Sequence, residues 1–437
     1  MEVPTPDNSR NQLGIPLRSR LNTALSTTFS SFRTRNYRLF ASGQVVSNTG
    51  GWVQRIAQDW LVLTLTGSAT DVGITTALQF VPTLLFGMYG GAIADRYPKR
   101  KVLLLTNFGM AALAAVLAAL TLAGAVRPWH VFAIAFGLGV VTAIDNPTRQ
   151  SFVNEMVGPD QLRNAISLNA SIFQLGALIG PAISGYLINA VGAGYAFAIN
   201  AISYSAAIAS LLRIDDRLLH RTGASAAARV RMRDGVRFAW QQPAVRWPVV
   251  LAGVFGMFSI NLPVTLAAYA RTVFHSGPSG YGLLSSAVAL GSVIGALTSA
   301  RRHRTRLRAL TGIAGLACAT LVLAAAAGAE WSYLVLLVAV GASTLLFLTS
   351  ANSTVQLAAG DAVRGRVMGV YLLVFIGSGA LGGPLLGAVD QHLGPRTGML
   401  LAGLVPGLAT LLVALGLSRA GGLRVRVQAR RIAVVPR

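Results

Sequence analysis

The chain has 437 residues, 53% of them hydrophobic and 12% charged, against about 25% charged in a soluble domain, so an ordinary globular protein is excluded. The net charge of +23 is almost all arginine, with lysine only at 99 and 101, and it falls in short runs between long apolar stretches. A nucleic-acid binder would gather such charge on one folded soluble face, and the lone cysteine, Cys318, excludes an intramolecular disulfide or a Cys-based metal cluster.

Residues 1–38 are polar and lack the apolar core of a signal peptide, so the first helix is expected to be an uncleaved anchor. A transmembrane helix needs about 20 mostly apolar residues to cross ~30 Å of hydrocarbon. Such runs predict twelve helices, at 39–65, 72–94, 102–124, 129–148, 163–190, 195–213, 248–271, 281–300, 309–328, 331–350, 366–389 and 396–418. Strands of a membrane barrel would be far shorter, about ten alternating residues each. An arginine-rich loop at 214–247 divides six helices from six, and a basic tail follows at 419–437. The expected fold is an all-α membrane protein of twelve transmembrane helices in two pseudo-symmetric six-helix halves, 39–213 and 248–418.

Of the 37 cations, 33 fall on one side of this layout, and the other four are Arg55, Arg127, Arg271 and Arg396. By the positive-inside rule both termini and the central loop face the cytoplasm, which places the chain in a bacterial inner or plasma membrane. Anionic lipids are the expected partners of the basic loops, Arg100 and Lys101 among them. The halves match at a shift of 203 residues: Arg163, Gly176, Gly180 and Pro181 correspond to Arg366, Gly379, Gly383 and Pro384. Duplicated halves around a midplane cavity are a transporter plan. A Gly-Pro pair removes a side chain and a backbone donor at one place, so it reads either as a hinge with a tight seal or as a static kink. Gly87-xxx-Gly91 and Gly291-xxx-Gly295 read as close helix packing.

Helix one carries the outstanding chemistry. At 100° per residue Gln44, Asn48, Gly51, Arg55 and Asp59 fall within about 80° of one another, with Ser47 and Gln58 beside them. Arg55 lies near mid-depth, and Asp59 roughly 6 Å further out. A charge there costs several kcal/mol unless paired or hydrated, so the stripe faces the bundle interior. The pair is either an i,i+4 salt bridge or, since acid-after-base is the weaker order, has other partners. Of fourteen acidic residues Asp59 alone lies well inside a predicted span, with Asp71, Glu330 and Asp390 at the outer border, which makes it the candidate proton carrier. Gln79, Asn169, Gln174 and Asn261 either line the same cavity or make interhelical hydrogen bonds. The five histidines are scattered, and there is no Walker loop, H-E-x-x-H or G-x-S-x-G. No enzyme, catalytic residue, metal site or cofactor is expected, and the chain is read as a monomer.

Between helices two and three, Gly91-Ala-Ile-Ala-Asp95-Arg96-Tyr-Pro-Lys99-Arg100-Lys101 resembles the signature loop of the major facilitator superfamily, G-x-x-x-D-R-x-G-R-K. Gly176-xxx-Gly180-Pro181-xxx-Gly185 is similar to the antiporter signature of that superfamily's exporters. Asp145-Asn-Pro-Thr-Arg149-Gln150 and Gln54-Arg55-Ile-Ala-Gln58-Asp59-Trp60 resemble the enterobactin-exporter-like, drug:proton antiporter branch. Pro98 stands where the signature loop usually has Gly, and the matching loop of the second half, Gly295 to Arg308, has arginines but no Asp. Helix four also lacks the basic residue of many proton-driven drug exporters. The resemblance implies secondary transport, with export of a small apolar or amphipathic compound and protons as the coupling partner. A lipid or lysolipid flippase and a non-transporting receptor of the same fold stay open. It also implies a cytoplasmic gate of Gly91, Asp95, Arg96, Lys99, Arg100, Asp145 and Arg149. In it Asp95 meets the N-terminus of helix eleven near Arg366, and Arg96 or Lys99 reaches Asp145.

Overall fold

Long apolar runs with few interior breakers give long helices, and the computed structural model, which describes residues 30–220, 232–300, 306–420, 423–428 and 431–436, is almost wholly helical. A 3-10 turn, Ser30–Arg33, leads into α1 (Arg35–Thr66), α2 (Ala69–Arg96), α3 (Lys99–Leu122), α4 (Pro128–Val191) and α5 (Ala193–Leu212). After a second turn at Asp216–Leu218 come α6 (Met232–Gln241), α7 (Pro243–Ser259), α8 (Leu262–Thr272), α9 (Gly277–Ala300), α10 (Leu307–Ala325), α11 (Glu330–Leu393) and α12 (Pro395–Ala420). Ten segments are long and apolar enough to cross a membrane. They do not include α1, which is 32 residues long but diluted by its polar stripe, and they count the 64-residue α4 once although it has length for two crossings. The total is consistent with twelve.

Five regions differ from the sequence expectation. The predicted loops at 149–162 and 351–365 are helical, because α4 and α11 run on beyond their apolar parts and break only at Gly158 (φ 70, ψ 177) and Gly360 (φ 64, ψ 171). That backbone region is essentially open to glycine alone. The predicted helix 248–271 is two helices. Pro263 supplies no N–H and would clash with the carbonyl four residues back, while the Asn261 side chain donates to the freed Met257 carbonyl (2.8 Å) and to Gly379 O on α11 (2.7 Å). The central loop contains α6, whose Ala239 packs with Val245, Val355 and Val367. The C-terminal tail forms an antiparallel hairpin, β1 (Leu423–Gln428) with β2 (Arg431–Pro436).

The duplication is visible in the backbone itself. The glycine breaks at 158 and 360 are 202 residues apart, and so are the positive-φ glycines that end α4 and α11, Gly192 and Gly394. Within each half small residues let helices touch backbone to backbone, as Gly90 does on Ala143 and as Gly291 and Gly295 do on Val338 and Ala342. Between halves, α2 packs on α11 and α4 on α9.

Those interfaces are closed at one end only. Gly73 on α2 meets the backbone of Gly383 on α11. Five turns along the same faces, 18 residues from each, Gly91 and Gly365 look into open space. Gly87 and Gly369 do the same, so the Gly87-xxx-Gly91 pair expected to pack is apart in this conformer. The bundle is a V. Its open end carries the residue 97–98 turn with Lys99 and Arg100, and is called the basic face below; the closed end is the far face.

Gly158→Ala should cost about 1–3 kcal/mol through its backbone angles. An added Cβ would also stand 3.3 Å from the His220 ring. Gly360→Ala meets no neighbour among the described residues, so its loss should come from backbone strain alone and be the smaller. Thermal melting of the two purified variants beside the parent, read by size-exclusion recovery, checks the order.

Candidate functional site

The polar stripe of α1 is built against α4, α5 and α9, and its members have different tasks. Gln44 accepts from Arg149 Nη1 at 2.6 Å, and Asn48 donates to the Ile172 carbonyl at 3.0 Å, so both fasten α1 to α4. Gln54, off the stripe, accepts from Asn200 of α5 at 2.6 Å, and Ser184 donates to the Val53 carbonyl at 2.8 Å. Asp59 is buried, and its Oδ2 accepts from the Tyr281 hydroxyl of α9 at 2.9 Å, a bond between the two halves. Its Oδ1 and the Nε2 of buried Gln58 have no hydrogen-bond partner among the described residues.

Of the two readings of the Arg55–Asp59 pair, the structure has the one with other partners: no Arg55–Asp59 ion pair is present within 4 Å. Among the described residues Arg55 makes no ion pair or hydrogen bond, and its guanidinium lies 5.3 Å from the Phe80 ring centre and 5.7 Å from that of Trp52. Contact with an aromatic face returns ~0.5–2 kcal/mol, while an arginine at mid-membrane costs at least ~2.5–3.5 kcal/mol. The rings only partly compensate the charge.

Arg55 stands where two cavities meet. A chamber of about 390 Å³ lies between the halves, walled by Trp52, Phe80, Phe173, Ile260, Leu266 and Phe375, with Gln174 and Ser285 as polar points. A wing of about 270 Å³ runs into the first half between α1, α2, α4 and α5. It is lined by the carboxamides of Gln54, Gln58, Gln79, Asn146 and Asn200, with Tyr204. Arg55 and Phe80 border both. Of the weaker sequence candidates, Gln79 and Gln174 are therefore in the cavity walls. Asn261 is a brace across the α7–α8 break, and half-buried Asn169 makes no hydrogen bond among the described residues.

At the basic face the expected gate pairings are absent. Asp95 is exposed and makes no hydrogen bond or ion pair among the described residues, and exposed Arg96 lies against the Tyr97 ring. Lys99 instead bonds Glu155 at 2.7 Å, and Arg100 bonds Asp216 at 2.8 Å while its other nitrogens cap the last carbonyls of α5, Leu211 and Leu212. Asp145 is fully buried and accepts from Thr106 at 2.7 Å and from Arg149 on its own helix. Arg149 is thus a helix residue with two partners, because α4 continues through the predicted loop. At this end α2 and α11 are apart at Gly91 and Gly365, and Asp95 has no bonded partner on the other half among the described residues.

The far face is sealed by backbone. Gly185 abuts Pro278 and Gly282, and Gly282 abuts the Pro181 carbonyl. A Cβ on Gly387 would stand 2.5 Å from the Ala69 carbonyl oxygen. Gly176 and Gly180 receive Asn48 and Trp52, and Gly379 receives Ile260. The backbone stays helical across both Gly180-Pro181 and Gly383-Pro384, so in this conformer these glycines serve close approach and the bends lie at Gly158 and Gly360. Two side chains of the second half grip the turn between α1 and α2. Arg271 donates to the Leu63 carbonyl at the end of α1, and Gln391 accepts from Ala69 N–H at the start of α2 at 2.8 Å. Each matches the polarity of the helix end it meets. Asp390, expected at the outer border, is buried inside α11, which outruns its predicted end, and accepts from Thr265 at 2.8 Å.

Sequence reasoning missed Trp52, Phe80, Tyr281, Arg271 and Gln391. Arg271 had a usable signal as one of only four cations on the minority side, and Asn200 as a lone amide in an apolar run; the aromatic residues had none.

Residues 26–425 match the family profile described as transmembrane secretion effector. The multidrug efflux pump Tap of Mycolicibacterium fortuitum is 28% identical over 81% of this chain and 89% of its own. The staphyloferrin A transporter of Staphylococcus aureus is 31% identical over 39% of this chain, and the match spans only 43% of that relative's length. Among solved structures, a peptide transporter in complex with sulfate superposes with a TM-score of 0.69 at 13% identity, covering 89% of this chain and 95% of its own.

Removing both grips, Arg271→Ala with Gln391→Ala, should loosen the far face without touching the cavity. In a Cys318→Ser background, a cysteine at Ser285 should then react at least tenfold faster with an impermeant maleimide added from the far side. An unchanged rate means the seal is kept without the two grips.

Proposed function

Because the chain belongs to the transmembrane secretion effector family of the major facilitator superfamily, we propose that it exports small apolar or amphipathic compounds by alternating access of its two halves. The observation that carries this reading is the chamber between the halves, walled mostly by apolar residues, bounded by the glycine seal on the far side and by splayed helices on the basic side. It is a membrane transporter, not an enzyme. Efflux as the direction is supported by the drug pump among its relatives, which aligns over most of both chains.

The basic face is cytoplasmic in this proposal, supported by 33 of 37 cations, so the conformer is open inward. Both termini and the linker 214–247 then lie inside, and the halves 39–213 and 248–418 rock as units. Exposed Lys101 is left to contact anionic lipid, whereas Arg100 is engaged with Asp216 and α5. Epitope tags at either terminus and within 214–247 should be reached by antibody only after the cells are permeabilised. A tag in that segment detected on intact cells overturns the orientation.

Protons are proposed as the driving partner, with Asp59 as their carrier. Its carboxylate joins the halves through Tyr281, beneath the stacked ring of Trp60, and keeps one oxygen unbonded. Parting the halves at the far face breaks that bond and opens the carboxylate to outside water; closing buries it again. Occupancy by a proton thus follows the same motion that moves the chamber from one side to the other. In proteoliposomes, Asp59→Asn should lower uptake of fluorescent amphiphiles driven by an imposed pH gradient at least tenfold. Exchange down an amphiphile gradient should persist. Gradient-driven uptake at the parent rate sinks the carrier role.

A further inference from the structure

We propose that the transported compound is an anionic amphiphile, its acidic oxygen group bound by Arg55 at the mouth of the wing and its apolar body held in the chamber. This rests on the reading of the chamber as the transport site, and it adds what that reading leaves open, the charge of the substrate.

Three observations converge. Arg55 borders both cavities and has none of its guanidinium donors engaged among the described residues, although it lies among apolar and aromatic walls. Gln58 is 1% exposed, borders the wing, and has an Nε2 with no partner. Gln54 Oε1 receives Asn200 and Asn200 Oδ1 receives Ser203 at 2.9 Å, and the one buried acceptor beside Arg55 left unpartnered among the described residues, Asp59 Oδ1, borders neither cavity. In the cavity walls Arg55 and Gln58 hold unengaged donors. A planar guanidinium suits the two oxygens of a carboxylate, or those of a sulfonate or phosphate ester, by parallel N–H···O bonds.

Asp59 is the counter-argument, because a carboxylate on the same helix could hold Arg55 and leave the cavity neutral or even draw cations. Its geometry answers this. The two groups are not within 4 Å, and the bonded oxygen of Asp59 is committed to Tyr281 on the other half. Arg55 instead has two aromatic faces for neighbours, which support the cation without occupying its N–H groups.

The chamber and the donor are adjacent, so the fitting ligand has an apolar body of a few rings or a short chain, with the acid at one end. Rim residues Trp52 and Phe80 would stack on the body while flanking the head. A free organic acid and a single-chain acidic lipid share this chemistry.

The test uses three probes with one apolar body, 1-pyrenebutyrate, 1-pyrenebutanol and 1-pyrenebutylamine. Binding to the full chain in nanodiscs is read by energy transfer from tryptophan, Trp52 forming one wall, with empty nanodiscs subtracted. The butyrate should bind at least tenfold more tightly than the alcohol and the amine. Arg55→Gln should bring the butyrate down to the level of the alcohol, with the fold of the variant checked by its size-exclusion profile beside the parent. Ala289→Trp, which fills the chamber, should weaken all three. If the three probes bind the parent alike, or the amine binds best, while Ala289→Trp weakens them, the anionic substrate is wrong and the chamber stands. If Ala289→Trp weakens none, the chamber is not the site and both readings fall. Competition by decanoate or by lysophosphatidic acid sorts the soluble acid from the lipid, and displacement by either supports the anionic head.

Discussion

The interior of a membrane offers helices no hydrophobic reason to associate, so the two halves are joined by how closely their backbones can come. At the far face that distance is set by glycines. Gly73 lies on Gly383, and Gly282 lies on Pro181 and Gly185, so α2–α11 and α4–α9 make the same contact twice. Around these crossings apolar side chains of both halves, Leu61, Val62 and Val72 with Leu266, Tyr269 and Tyr281, join one buried cluster. The polar ties that accompany it among the described residues come from Tyr281, Gln391, Arg271 and Ser279. The cavity owes its existence to the divergence of the same helices five turns further on.

The polar stripe of α1 divides into a fixed part and a free part. Gln44 and Asn48, nearest the basic face, are bonded to α4, and Asp59, nearest the far face, is bonded to α9. Between them Arg55 and Gln58 keep donors without partners. A residue whose hydrogen bonds are all met inside the protein has little left to offer a ligand. By that criterion the middle of the stripe is where an outside molecule can be held, Gln44 and Asn48 hold the helix in place, and Asp59, with one oxygen on Tyr281 and the other unpartnered among the described residues, does part of each.

Much of the fold was legible because the membrane restricts what a sequence can do. Apolar runs of about 20 residues mark crossings, and the shift of 203 between Gly180-Pro181 and Gly383-Pro384 marks the duplication. The boundaries were not legible where a helix leaves the apolar layer. Hydropathy falls at Thr148 and at Ser350, but the helix does not, and only the positive-φ glycines at 158 and 360 end it. The site was half legible. Periodicity put Arg55 and Asp59 on one face of α1 but left open whether they pair with each other, because partners on α2 and α9 belong to distant parts of the chain. Phe80 and Tyr281 look like ordinary apolar residues of their spans until the fold sets them beside the charges. The gate loop was recognisable by motif, but whether Asp95 is engaged depends on conformation, which a motif does not carry.

The polar character of α1 has a consequence for how the protein is made. The least apolar of the crossing helices is synthesised first, and the groups that satisfy it come much later. Asn48 waits for Ile172, Val53 for Ser184 and Gln54 for Asn200, separations of 124, 131 and 146 residues. At about 5–20 residues per second the last of these takes roughly 7–30 s to emerge. For that interval the helix has a charged and amide-rich flank without its native neighbours, at a depth where water is scarce. Its residence there depends on the insertion machinery, or on the helices that follow it, until α5 arrives.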